Sequence, residues 1–235
     1  MAASTILEVP LKTPTHEQLH TQLKTWGYYA KQTDLYQHLL HKLGRDWDVV
    51  CLNGLANSKT ALGDYLAAIA LQKQHAEVAA QIPDPQSEAY AWGNIGLNHY
   101  YLGQYAEAIE HLTKSIATLE TLQDYRGQQM FLGNLGLTYS AIGQYQQAID
   151  CHEQALSLAR KQMNRRAEGE MLGNLGSAYA GVGDFSKALD YQQQHLAIAR
   201  EVGDRQAECN ALGNLGRAYQ SWVIRSRRSQ CSSRV

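Results

Sequence analysis

Along residues 132–159 the apolar positions fall into two runs of helical spacing. Leu132, Leu135 and Tyr139 lie three and four apart, which marks one face of a helix. Ala148, Ile149, Leu156 and Ala159 mark the face of a second. Gly143 stands between them and can take the left-handed conformation that ends a helix and turns the chain. Gly103 and Gly183 hold the equivalent places, and Gly63 an earlier one. Each unit therefore reads as a helix, a tight turn and an antiparallel helix. Gly136 beside Ala148 suits a close approach of the paired axes. Gly203-Asp204-Arg205 supplies a turn and a capping Asp before the next helix.

The pattern repeats. Gly-Asn-Leu/Ile-Gly occurs at 93–96, 133–136, 173–176 and 213–216, a step of 40 residues each time. A fixed period of that size is the mark of a stacked array, in which each unit buries its apolar face against its neighbours. Leu52-Asn-Gly-Leu55-Ala56 with Leu62-Gly63-Asp64-Tyr65 and Ala68-Ile69 is a weaker copy, and Trp26-Gly27-x-Tyr29 with Leu35, Leu39 and Leu40 reads as the second helix of a weaker one still. The expected organisation is a disordered leader (1–15), degenerate units (16–44 and 45–85), well-formed units (86–124, 125–164 and 165–204), a half unit (205–221) and a disordered basic tail (222–235). Pro83 and Pro85 replace the usual glycine link and predict a kink between the second and third units.

Leu132-Gly-Asn-Leu135-Gly136-x-x-Tyr139 followed by Ala148, and the matching Trp92, Ile95-Gly96, Ala108 and Leu172, Leu175-Gly176, Ala188, resemble the tetratricopeptide repeat. The likeness is to its 40-residue form, as in G-protein-signalling modulator and Pins-type scaffolds and bacterial multi-repeat signalling proteins. The signature's Phe position holds Leu112, His152 and Gln192, and its closing Pro is absent, departures that bear on subfamily more than on fold. The resemblance implies an all-α, right-handed solenoid of antiparallel helix pairs, with the first helices on a concave surface that holds an extended peptide or a partner helix. It also implies a role for asparagine, because signalling-modulator and kinesin-light-chain repeats use asparagines at the matching place.

Asn94, Asn134, Asn174 and Asn214 occupy that place, one per unit. A primary amide both donates and accepts, so it can pair with a ligand backbone whatever the ligand's sequence. Packed helices about 8–10 Å apart would meet an extended chain roughly every third residue, at ~3.3 Å per residue. The expected lining is Tyr90, Leu97, Asn98 and Tyr101 in one unit; Met130, Leu137, Thr138 and Ala141 in the next; and Glu170, Ser177, Ala178 and Gly181 in the third. Four residues before each Asn, where signalling modulators carry Arg, stand Tyr90, Met130, Glu170 and Asn210, which favours a ligand with apolar anchors over an acidic one. Gly93, Gly133, Gly173 and Gly213 each cost a helix about 1 kcal/mol relative to Ala. Something comes close to the backbone there, and a neighbouring helix answers as well as a ligand. The asparagines themselves have a structural alternative, bonding to a neighbouring turn.

Charge and chemistry narrow the function. With 21 basic and 22 acidic residues there is no general nucleic-acid signature. No apolar run approaches the roughly 20 residues that span a bilayer, and Met1–Thr15 lacks the basic start and apolar core of a signal peptide, so a cytoplasmic location is expected. Cys51, Cys151, Cys209 and Cys231 share no C-x-x-C spacing and read as reduced packing residues. His38-x-x-His41 and His16-x-x-x-His20 lack a further ligand at motif distance, and Gly181-Val-Gly183 is a turn and not a dinucleotide loop. Neither a cofactor nor a metal is expected, and the reading is a non-enzymatic scaffold whose partner is a protein or peptide. The alternatives are the sensor or recruitment arm of a larger signalling or protease effector, and a self-assembling structural repeat. Leu212, Leu215 and Tyr219 lack a second helix to cover them, which predicts self-association through the C-terminal end.

The register calls for a sequence like Leu-Gly-Asp after Ser221, in the manner of Val182-Gly183-Asp184, where the chain reads Trp222-Val223-Ile224. Leu-Gly-Asp written TTG GGT GAT T and read one base along gives TGG GTG ATT, which is Trp-Val-Ile. The segment that follows has four arginines and no acidic residue. A change of coding frame after codon 221 accounts for both features; the alternatives are a plain disordered tail and a basic nucleic-acid or targeting patch at Arg225–Arg228.

Overall fold

The computed structural model describes residues 29–232. The expected leader, Trp26 and the remainder of 16–28 lie outside the described residues. Ten helices follow in order: α1 (Tyr29–Leu39), α2 (Arg45–Ala61), α3 (Tyr65–Gln81), α4 (Pro85–Tyr101), α5 (Tyr105–Thr121), α6 (Tyr125–Ala141), α7 (Tyr145–Lys161), α8 (Arg165–Val182), α9 (Phe185–Glu201) and α10 (Arg205–Ser232). Each packs mainly on the helices before and after it, so the array is an all-α solenoid of antiparallel pairs. First helices begin at Arg45, Pro85, Tyr125, Arg165 and Arg205, a constant step of 40 residues.

Local chemistry sets the boundaries. Asp64, Asp84, Asp124, Asn164, Asp184 and Asp204 each accept a hydrogen bond from a backbone N–H three residues on, which satisfies one of the donors that a helix start leaves free. Gly63, Gly103, Gly143, Gly183 and Gly203 turn the chain at φ of 79, 74, 78, 81 and 70°. Gln123 and Met163 perform the same turn at φ 56 and 53° without the freedom of glycine.

Pro83 and Pro85 interrupt the helix as expected and keep the register: α3 ends at Gln81, Asp84 caps the next helix, and Pro85 takes the first helical position, where no N–H is needed. The side chain nearest Gly136 is His152, whose ring a Cβ at 136 would approach within 2.5 Å. The chain beyond Ser221 is not disordered as far as Ser232, because α10 continues to that residue. The other first helices stop at a glycine or proline link, whereas 222–232 contains neither.

The core runs along the stack in place of sitting at one centre. Leu132, Ile149, Leu156, Met171, Leu172 and Leu175 form one buried cluster spanning two units, and Leu112, Leu119, Phe131 and Leu135 form another. Polar groups are folded into the same layer. Gln192 Nε2 donates to the Gly173 carbonyl at 2.8 Å, and Gln72 Nε2 donates to Asn53 Oδ1 at 3.2 Å. The register-equivalent His152 is fully buried with neither ring nitrogen paired.

Candidate binding groove

A groove of about 880 Å³ runs across the first helices α6, α8 and α10. It gathers six of the residues singled out in the sequence: Asn134, Asn174, Asn214, Met130, Leu137 and Glu170. Their common location follows from the 40-residue register, which returns each unit to the same helical angle. Asn134 and Asn174 are half-buried, and among the described residues their side-chain amides bond to no protein group. Asn214 accepts from the Arg217 guanidinium. Ser177 also lines the groove, while Thr138 and Ala178 are buried beneath it.

The remaining sequence-selected residues lie elsewhere. Asn98 is only 1% exposed, donates through Nδ2 to the Asn94 carbonyl and accepts from Thr60 Oγ1, both at 2.8 Å, so it ties two units together. Asn94 Nδ2 reaches Asn53 Oδ1 at 3.5 Å. Tyr90 packs edge-on against Phe131 with ring centroids 5.6 Å apart, and Tyr101 stacks on Tyr65 at 5.1 Å, near the end of α4. Leu97 is half-buried on α4, and Gly181 makes room for the Tyr145 ring. Ala141 is exposed where α6 ends.

The glycines preceding the asparagines are explained by packing. A Cβ at Gly93 would meet the Phe131 ring at 2.3 Å, one at Gly133 would lie 3.2 Å from Met171 Cε, and one at Gly173 would lie 2.6 Å from His195 Nδ1. A Cβ at Gly213 would meet nothing within 4 Å. Two residues that the sequence did not select, Arg166 and Arg217, stand at the groove with Asp204 and Asn210. Arg166 bonds Asp204 at 2.6 Å and lies 3.8 Å from Glu170. The Ala207 N–H foremost, and Arg166 after it, hold the Asp204 carboxyl below its usual range. The signal for Arg166 was legible in hindsight: it stands 38 residues before the capping Asp204, as Gln86 stands before Asp124, which it bonds at 2.8 Å.

Outside the groove, His41 Nδ1 contacts Asp48, and His38 contacts Lys42. Cys51 and Cys151 are buried free thiols and Cys209 is exposed. Among the described residues no three His, Cys, Asp or Glu side chains cluster to hold a metal, and no helix is long and apolar enough to cross a membrane.

Residues 48–121 and 167–222 match one tetratricopeptide-repeat family model, and 131–162 match a second. The chain belongs to the tetratricopeptide repeat family. No curated protein matches it significantly. Among solved structures, aspartyl phosphate phosphatase F from Bacillus subtilis is similar at 16% identity and TM-score 0.72, over 85% of this chain and 53% of that one. A signal transduction ATPase with numerous domains and a tetratricopeptide repeat sensor, from Pyrococcus horikoshii, is similar at 18% identity and TM-score 0.71, over 83% of this chain and 30% of that one. BtubC (BKLC) from P. vanneervenii is similar at 20% identity and TM-score 0.68, over 80% of each chain. At these identities the likeness is one of fold.

Proposed function

We propose that the chain is a non-enzymatic protein-interaction scaffold that holds an extended segment of a partner protein along the α6–α8–α10 groove. Membership of the tetratricopeptide family supports the general role. The specific reading rests on one observation: Asn134 and Asn174 present amides with no protein hydrogen-bond partner at equivalent points of one groove. Each amide can accept from one backbone N–H and donate to one carbonyl of a strand-like ligand. Met130 and Leu137 offer apolar contact on either side of Asn134 along α6, while Arg166 is balanced by Glu170 and Asp204. Backbone pairing flanked by apolar contact suits a segment defined by spaced apolar side chains more than by charge.

The test is selection of binders from a random-peptide library, followed by titration against the wild type and Asn134→Ala/Asn174→Ala. Four lost hydrogen bonds of about 0.5–1.5 kcal/mol each correspond to a Kd weaker by roughly 30-fold or more. Circular dichroism should be unchanged, and N-methylating the peptide at alternate residues should weaken binding to the wild type in the same way. Equal affinity of the two proteins would refute the asparagine reading.

A second reading makes the array the sensor arm of a larger effector. Its support is the tetratricopeptide repeat sensor named in the Pyrococcus horikoshii ATPase, of which this chain spans 30%. Sequencing downstream of the gene tests it, and a catalytic domain in continuous frame is the result it requires.

A further inference from the structure

We infer that a side pocket between α8 and α10 is the subsite for a primary carboxamide, the side chain of a glutamine or asparagine in the partner segment, an inference that rests on the groove reading above. The pocket, of about 370 Å³, shares Ser177, Asn214 and Arg217 with the groove and so opens from it. It lies on the face of α10 that packs on α8 and α9, and Gln192 of α9 forms part of its wall. Gln192 is 1% exposed; its Nε2 donates to the Gly173 carbonyl, yet its Oε1 is buried with no partner. An acceptor left unpaired in the interior is costly. The same Gln-x-x-His pair occurs in α3, and there it closes on itself: His75 Nδ1 donates to Gln72 Oε1 at 3.0 Å. Three repeat steps on, at the equivalent positions of α9, Gln192 Oε1 and His195 Nδ1 are both unpaired, and His195 lines the groove. The open pair is therefore a property of this pocket and not of the repeat.

The chemistry of the walls selects the occupant. Among the described residues that line the pocket Arg217 alone is charged, and its guanidinium donates to Asn214 Oδ1 with further N–H groups to spare. The pocket thus offers a free acceptor on α9 and free donors on α10. A carboxylate would satisfy Arg217 but set an oxygen against Gln192 Oε1. An ammonium or guanidinium group would satisfy Gln192 but face the charge of Arg217, and an apolar group would satisfy neither. A hydroxyl donates and accepts through a single atom, whereas the two groups to be met sit on different helices. A carboxamide answers both without net charge: its NH2 donates to Gln192 Oε1 while its carbonyl accepts from Arg217. The space is ample, since an apolar cavity of about 150 Å³ already takes a benzene ring.

Propionamide titrated into the full chain tests the pocket without any peptide. The backbone amide NMR signals of Ser177 and Ala180 should shift saturably with propionamide, and propionate and propylammonium should bind about tenfold more weakly or worse. The response should be lost in Arg217→Met and in Gln192→Leu, which installs the residue found at the equivalent Leu112, with circular dichroism unchanged. Peptides selected from the random library should carry Gln or Asn at a fixed position. Replacing it by Glu or Met should weaken binding to the wild type by about tenfold or more, and should make little difference to Gln192→Leu. Equal shifts with the three compounds, no shift with any, or a response retained in both variants would each overturn the inference. The asparagine ladder is judged apart from it: that reading fails if Asn134→Ala/Asn174→Ala binds the peptides as the wild type does, whatever propionamide does.

Discussion

Gly173 lies against the imidazole of His195 so closely that a Cβ at 173 would come within 2.6 Å of Nδ1. The glycine that looks wasteful in a helix is the seat of a buried side chain from the paired helix. Gly213 holds the same register position and faces nothing.

The two glycines should therefore respond in opposite directions to the same change. Gly173→Ala forces His195 to move within a packed layer, a cost of about 1–3 kcal/mol against a gain of about 1 kcal/mol in helix propensity. Gly213→Ala makes no such demand and should stabilise by up to about 1 kcal/mol. Urea denaturation of both variants reads the difference, and equal effects would contradict the packing account.

Met163 turns the chain at φ 53° with its side chain 86% exposed, so its backbone strain is not offset by burial. Met163→Gly removes a left-handed cost of roughly 1–2 kcal/mol and adds flexibility to the unfolded chain worth about 0.4–1 kcal/mol. The expected net is stabilisation of about 0.5–1 kcal/mol. Thermal unfolding should show a higher Tm for the variant, and a lower one would show that the turn is not strained.

Burial pushes His75 and His152 down to about 4, and lowers His195 and His111 in the same direction. The folded state thus holds these rings neutral while the unfolded chain protonates them near 6.5. Their contribution is fully present above pH 6.5 and is lost as pH falls toward 4. Urea midpoints measured between pH 7.5 and 4.5 should decline, and less steeply for His152→Gln, which installs the residue found at the equivalent Gln192. A parallel decline in both proteins would remove His152 from the explanation.

The uncovered face of α10 and the sequence change at Trp222 point to the same place in the gene. Restoring one frame after codon 221 in genomic DNA should reveal a Leu-Gly-Asp-like turn, an Ala-Ile-type second helix and further 40-residue units. Repeat coding in no frame would refute the shift. Joined to α10, that second helix should cover Gly216 as His152 covers Gly136.

The sequence by itself determined the two-helix unit, its 40-residue step, the glycine turns and the capping aspartates. Those features are local or periodic: Gly143 and Asp204 act within a few residues of themselves, and the apolar spacing fixes which face of a helix turns inward. It also placed Asn134, Asn174 and Asn214 on one line, because a constant period returns each to the same helical angle. Only the tertiary structure decided that Asn98, one turn from Asn94, is buried against Thr60, 38 residues away, and that Phe131, Met171 and His195 fill the spaces over the glycines. It alone decided that α6, α8 and α10 together line the groove. Spacing along one helix specifies a direction, but which side chain arrives from the neighbouring helix depends on size and shape across an interface, and no period in the chain encodes that.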